Sequence, residues 1–218
     1  MGDVIAIDGP SGAGKSTIAK MLAERLGFVY LDTGALYRTV ALFFLRKGVS
    51  PDDEDSVLVQ ALGEAEIQFE KGRVILNGRE VSSDIRTTEV GHYSSVFSAR
   101  KVVRDYLLGV QRKASLGGDL VAEGRDTTTV IFPDARKKFY MDASVTERAQ
   151  RRFRQLKEIG VDISEERAER DVMGRDERDQ RRDIAPLVKA KDAIIVDTTG
   201  RSIEQILEVI LEAVKSDP

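Results

Sequence analysis

Short apolar, β-rich runs alternating with helical patterns predict an α/β fold, a parallel sheet with helices on both faces. A second observation assigns the sheet its type. Gly9–Ser16 read G-P-S-G-A-G-K-S directly after the apolar run Val4–Asp8, which is the G-x-x-x-x-G-K-[ST] spacing of a P-loop between a strand and a helix. A third observation is that two stretches break the rhythm, at about 66–82 and about 146–182. They predict a small antiparallel insert and a helical lid on one domain spanning 1–218.

The strand candidates are Val4–Asp8, Phe28–Leu31, Leu120–Glu123, Lys138–Asp142 and Ala193–Asp197. After the glycine loop, Ile18, Leu22 and Leu26 recur on one helical face, and Gly27 stops that helix. Ala35–Lys47 is helical and closed by Gly48, and Ser50-Pro51 is expected to start another helix, with proline at a tolerated first-turn position. In the first irregular stretch Ile67 and Phe69 alternate, then Val74 and Leu76, with Lys71-Gly72 and Asn77-Gly78 as turns; this reads as an antiparallel meander. Ser144-Val145-Thr146-Glu147 and Ser202-Ile203-Glu204-Gln205 fit capping boxes opening helices. Residues 146–182 hold eleven basic and ten acidic residues, a composition that reads as a solvated, salt-bridged helical pair.

Composition narrows the function classes. The chain has 218 residues, enough for a good core, with 33% charged residues and a net charge of −3, which argues against a general binder of polymeric nucleic acid. No apolar run approaches the ~20 residues of a membrane span. There is no cysteine, so disulfides, zinc–thiolate sites and cysteine nucleophiles are excluded. With no basic leader before the first strand, a cytoplasmic protein is expected.

The glycine loop carries chemistry. Its N–H groups can curl around phosphate oxygens without Cβ clashes, and the following helix adds its positive end. Gly9, Pro10, Ser11, Gly12, Ala13, Gly14, Lys15, Ser16 and Thr17 are therefore the candidate ATP-binding residues. Lys15 reaches the β- and γ-phosphates, and a hydroxyl of Ser16 or Thr17 faces Mg²⁺. The open question is the acceptor. His92, the single histidine, reads as a plain polar helix residue. A phosphate acceptor needs no base, because its second pKa is about 6 and it arrives as a dianion. It needs arginine forks, and Arg38, Arg104, Arg125, Arg175, Arg178 and Arg182 stand in motif-like settings away from the loop.

Leu31-Asp32-Thr33-Gly34-Ala35-Leu36-Tyr37-Arg38 resembles the D-[ST]-G-x-x-Y-R element of bacterial cytidylate kinases. Val103–Leu108, Glu123-Gly124-Arg125-Asp126, Val130–Asp134, Arg175-Asp176-Glu177-Arg178-Asp179, Arg182, Ala185-Pro186-Leu187 and Asp197-Thr198-Thr199 continue the likeness in order over nearly the whole chain. The resemblance implies ATP-dependent phosphorylation of CMP, and of dCMP, with Mg²⁺, by a monomer. It places the acceptor phosphate on Arg104, Arg125 and Arg182, the base on Thr33, Ser95 and Asp126, and the ribose on Arg175 and Asp179. Arg38 joins the CMP-binding set. Lys15, Arg125 and Arg182 would be catalytic, with Glu123 near the metal through water and Asp197-Thr198-Thr199 beside the adenine. Asp126 suits cytosine, whose N4 amino group donates to a carboxylate, whereas uracil presents an acceptor there. Arg148, Arg151 and Arg152 are candidates for the donor or the moving phosphoryl group.

The sequence departs from the family at Thr127-Thr128-Thr129, where the family carries a bulky residue, glycine and threonine. A β-branched residue resists positive φ, so the turn holding Asp126 is expected to differ. Ser16 stands where relatives commonly have glycine. Rival readings stay open on the sequence: a kinase for another nucleoside monophosphate or a small-molecule acceptor, or a nucleotide-binding switch without an acceptor.

Overall fold

The computed structural model describes residues 2–70 and 73–216. A five-stranded sheet organises it: β1 (Val4–Asp8), β2 (Val29–Asp32), β6 (Leu120–Gly124), β7 (Lys137–Asp142) and β8 (Ile194–Asp197). The spatial order is β2-β6-β1-β7-β8 and every pair is parallel. The register aligns Asp8 with Gly124 and Tyr140, Asp32 with Glu123, and Asp142 with Asp197. All carboxyl ends therefore gather on one edge, where ligands of open α/β sheets bind.

Alternate strand residues feed two cores. Leu31, Leu120 and Ala122 face α2 (Thr33–Lys47), α3 (Asp55–Leu62), α4 (Thr88–Phe97) and α5 (Lys101–Ala114). Ile5, Ile7, Val121, Phe139 and Met141 face α1 (Lys15–Leu26) and α8 (Ile203–Lys215). Helices thus cover both faces, as the alternation predicted. The insert is β3 (Ile67–Glu70), β4 (Arg73–Leu76) and β5 (Arg79–Glu80), an antiparallel meander whose Ile67, Val74 and Leu76 join the first core. Its second turn has Asn77 at φ 49° and Gly78 at φ 75°, the paired positive φ of a tight hairpin. The other expected turn, Lys71-Gly72, lies outside the described residues.

Several boundaries differ from expectation. The helix expected at Ser50-Pro51 begins only at Asp55. Ser50–Asp53 closes as a turn, with the Ser50 N–H donating to Asp53 Oδ2 at 2.8 Å. The Arg100 guanidinium donates to the carbonyls of Pro51 and of Asp53, the latter at 2.8 Å, so a distant side chain overrides the local helix signal. α2 starts two residues early, because Asp32 Oδ1 caps it by accepting from the Ala35 N–H at 2.9 Å. Of the two capping boxes only Ser202–Gln205 is reciprocal. Ser144 accepts from the Glu147 N–H, but the Glu147 carboxylate turns to Arg151 at 3.1 Å.

The charged stretch forms two packed helices, α6 (Val145–Glu158) and α7 (Glu165–Arg181), capped by Ser144 and Ser164. They pair as expected, yet not all of their charges are solvated. Arg148, Asp176 and Asp179 are each under 9% exposed. Among the described residues no helix is long and apolar enough to cross a membrane.

Candidate active site

The carboxyl edge of the sheet, the glycine loop, α4 and the α6–α7 pair enclose a cleft of about 730 Å³. Its donor end is built from backbone. Gly14 lies at φ 91°, a conformation that L side chains rarely adopt. The loop's carbonyls are held by fixed donors: Pro10 O accepts from Lys15 Nζ at 2.8 Å, Ser11 O from Arg148 at 3.0 Å, and Ala13 O from Thr198 Oγ1 at 3.1 Å. Among the described residues the N–H groups of Gly12, Ala13 and Gly14 have no acceptor. Three successive free amides at a helix N-terminus form an anion cradle.

Lys15 is 5% exposed. Burial, then the charge of Arg125, lowers its pKa to about 7. Ser16 Oγ donates to Glu123 Oε1 at 2.6 Å, and Tyr30 donates to the same oxygen at 3.4 Å. Burial and the nearby Asp32 push the Glu123 carboxyl above its usual range, against the pull of Lys15. The Ser16 hydroxyl and the Glu123 carboxylate are hard oxygen donors, so they fit Mg²⁺. Among the described residues no group of three His, Cys, Asp or Glu could hold a metal, so such an ion would take its remaining ligands from phosphate and water.

The acceptor end is a buried lattice of charges. Arg125 Nε meets Asp179 Oδ2 at 2.8 Å; Arg104 pairs with Asp126; Arg182 lies 3.6 Å from both Asp126 Oδ1 and Asp179 Oδ1. Arg38 reaches the carbonyl of Ile85 at 3.2 Å and lines the cleft beside Arg175. The arginines fall into two groups. Despite burial, Arg104 is held above its ordinary pKa by Tyr37 and then Asp126, and Arg125 by Asp179 and then Glu123. Arg38, Arg175 and Arg182 are lowered by burial first and then by a neighbouring arginine, Arg86 for Arg38, Arg125 for Arg175 and Arg104 for Arg182, with Arg175 brought to about 10. Arg175 Nε and Arg182 Nη2 are buried without a hydrogen-bond partner among the described residues. A surplus of cations with free donors suits the binding of an anion.

The cleft is lined by most of the candidates expected on either side, with unequal freedom, but Gly9, Pro10, Ala13 and Arg104 do not line it. Arg104 is committed: it donates to Ser98 O at 3.0 Å, pairs with Asp126, and sits 5.5 Å from the Tyr37 ring centre. Thr33 Oγ1 donates to Glu123 O at 2.7 Å, and Ser95 Oγ accepts from Arg178 at 3.1 Å. Arg151 and Arg152 line the cleft; Arg148 does not. Thr198 is fully buried against the glycine loop.

Asp8 escaped the sequence reading. It is fully buried at the end of β1 and accepts from the Thr127 N–H at 2.9 Å, the Thr128 N–H at 2.7 Å and Thr128 Oγ1 at 2.6 Å. These bonds tie the start of the glycine loop to the turn after Asp126. That turn, Thr127–Ile131, is one π-helical turn, and Thr128 is not at positive φ. The Thr128 side chain adds a hydrogen bond to the turn. Arg86, paired with Asp32 at 3.1 Å, also lines the cleft and carried no motif.

A lysine-bearing glycine loop facing an arginine cluster, at the carboxyl edge of a parallel sheet and beneath two helices, defines a P-loop phosphotransferase. The chain belongs to the cytidylate kinase family, whose model matches residues 5–216. The cytidylate kinase of Thermodesulfovibrio yellowstonii is 49% identical and covers 100% of both chains. That of Thermosipho melanesiensis is 47% identical over 97% of this chain and 96% of its own, and that of Geobacter sulfurreducens 48% over 95% and 90%. Among solved structures, an uncharacterized protein from Eubacterium ventriosum aligns with a TM-score of 0.57 at 13% identity, covering 99% of each chain. Shikimate kinase from Bacteroides thetaiotaomicron aligns at 0.50 and 12%, covering 98% of this chain and 99% of its own. At such identities the likeness is one of fold.

Proposed function

We propose that this protein transfers the γ-phosphoryl group of ATP to the 5′-phosphate of CMP, and of dCMP, giving ADP and the cytidine diphosphate. One observation carries the reading: a buried carboxylate, Asp126, set among arginines at the far end of a cleft whose near end is a free-amide phosphate cradle. Residues Gly9–Thr17 hold the ATP phosphates. Arg125, Arg182, Arg38 and Arg175 hold the acceptor phosphate: Arg175 and Arg182 have free donors there, and Arg38 and Arg125 line the same cleft. Arg104 stays with Asp126, where the pair reads the cytosine edge together with Ser95 and Thr33. Asp179 orients Arg125 and reaches the ribose.

The acceptor dianion needs no general base, so the chain's task is positioning and charge neutralisation. Lys15 bridges the donor phosphates, while Arg125 and Arg182 balance charge as it spreads over the transferring oxygens. Ser16 and Glu123 would hold Mg²⁺, which would supply further neutralisation of the phosphates when bound. Residues 146–182 act as the lid that excludes water, since an open site would hydrolyse ATP. The insert at 66–82 backs the acceptor wall, although none of its described residues lines the cleft. Both ends of the cleft come from one chain, in keeping with a cytoplasmic monomer acting on free nucleotides rather than on a polymer or a membrane.

The test is a panel of monophosphates with ATP, read as ADP release. CMP is expected to give the fastest release, with dCMP next, and UMP and AMP far slower. Faster turnover of another monophosphate, or hydrolysis that no acceptor stimulates, would overturn the reading. Asp126→Asn is expected to narrow the preference of CMP over UMP by at least tenfold, because an amide can donate to uracil O4. Asparagine is the better probe, since its amide oxygen still accepts a hydrogen bond from Arg104, whereas alanine would leave that buried donor with no acceptor.

A further inference from the structure

Two side chains of the helical pair reach behind the glycine loop rather than into the cleft. Asp176 of α7 accepts the Ser11 N–H on Oδ1 at 2.9 Å. Its other oxygen pairs with the Arg148 guanidinium of α6. Arg148 in turn donates to Ser11 O at 3.0 Å and to Ala143 O at 3.0 Å. Both backbone groups of Ser11 are thus held by side chains from the helices above it. Asp176, Arg148 and Ser11 are each under 9% exposed, so the junction is shielded from water. The contact extends to the backbone: a Cβ on Gly12 would lie 2.8 Å from Arg148 O, so α6 presses directly on the loop.

We propose that Asp176 and Arg148 are positioning residues for the donor. Together they hold the Ser11 peptide so that the next three amides face the phosphates, and the cradle is completed by docking of the helical pair. The charges divide the work. The Asp176 carboxylate lies against a loop built for phosphate, and the Arg148 guanidinium paired with it offsets its repulsion of the triphosphate. This proposal rests on the kinase reading for the identity of the donor, but it can be tested without an acceptor.

The experiment measures the Kd of a non-hydrolysable ATP analogue with Mg²⁺ in the full chain. Arg148→Met leaves the carboxylate unpaired and is expected to raise Kd at least tenfold. Adding Asp176→Asn removes the repelling charge while keeping an acceptor for the Ser11 N–H, and is expected to recover at least threefold of that loss. Arg148→Lys retains the charge but cannot span Ser11 and Ala143 together, and its Kd is expected to rise about threefold. A purely structural ion pair would lower the melting temperature of these variants and leave the Kd of the folded protein unchanged. A Kd within twofold of the unaltered protein in Arg148→Met or Arg148→Lys, or a double variant binding no better than Arg148→Met, would overturn the proposal. CMP-stimulated ADP release by the unaltered protein tests the kinase reading separately.

Discussion

Lys15, buried beside Arg125 with its pKa near 7, has a proton to gain when a triphosphate arrives. Below that pH it is already charged, and binding draws no proton onto it. Above it the free protein holds the amine neutral, so the bound phosphates pull a proton on and affinity weakens as pH rises. Calorimetry in two buffers of different ionisation enthalpy is expected to show added proton uptake on ATP binding at pH 8, absent from Lys15→Met. That variant is also expected to lose about 10²–10³-fold or more in turnover while its circular dichroism is unchanged. Near-parent turnover would remove the role assigned to Lys15. The identity of this lysine was plain in the loop motif. Its shifted pKa was not, because the charges of Arg125, Glu123 and Asp179 that act on it lie more than a hundred residues away along the chain.

Turns and helices show where local signals stop. The π-helical turn Thr127–Ile131 is held by Asp8, and the Thr128 hydroxyl supplies one of its three hydrogen bonds. Thr128→Val keeps the shape and deletes that donor. It is expected to cost about 1–3 kcal/mol in urea unfolding and to raise the KM for CMP severalfold, since that turn directly follows Arg125 and Asp126. An unchanged KM for CMP would show that Asp8 does not position the acceptor site. The helix signal at Ser50-Pro51 failed because Arg100 captures that segment's carbonyls. The charged stretch was legible as a helical pair from its caps and composition. Its buried members were not, because charge runs read as solvated surface unless a partner is seen.

Across the molecule, the two faces of the sheet serve different ends. The first core carries α4, whose Phe97 meets Phe44 at 4.7 Å between ring centres and whose Ser94 and Ser95 line the cleft. The second core seats α8, where Ile210 is fully buried behind the sheet. Phe97→Ala is expected to cost about 3–5 kcal/mol and to raise the KM for CMP, whereas Ile210→Ala is expected to cost about 2–5 kcal/mol and leave it unchanged. Urea melts with steady-state kinetics separate the two, and equal effects on KM would refute this division of labour.

Hydrophobic period, glycine position and cap chemistry act over a few residues, so the chain alone specified the parallel α/β class, the phosphate loop, the meander and the series of arginines. Which arginines are spent on carboxylates, which remain free for an anion, and that Asp8 and Asp176 brace the two ends of the cleft came only with folding. Those facts depend on charges brought together from distant segments and on the water that leaves as they close. No local pattern encodes either.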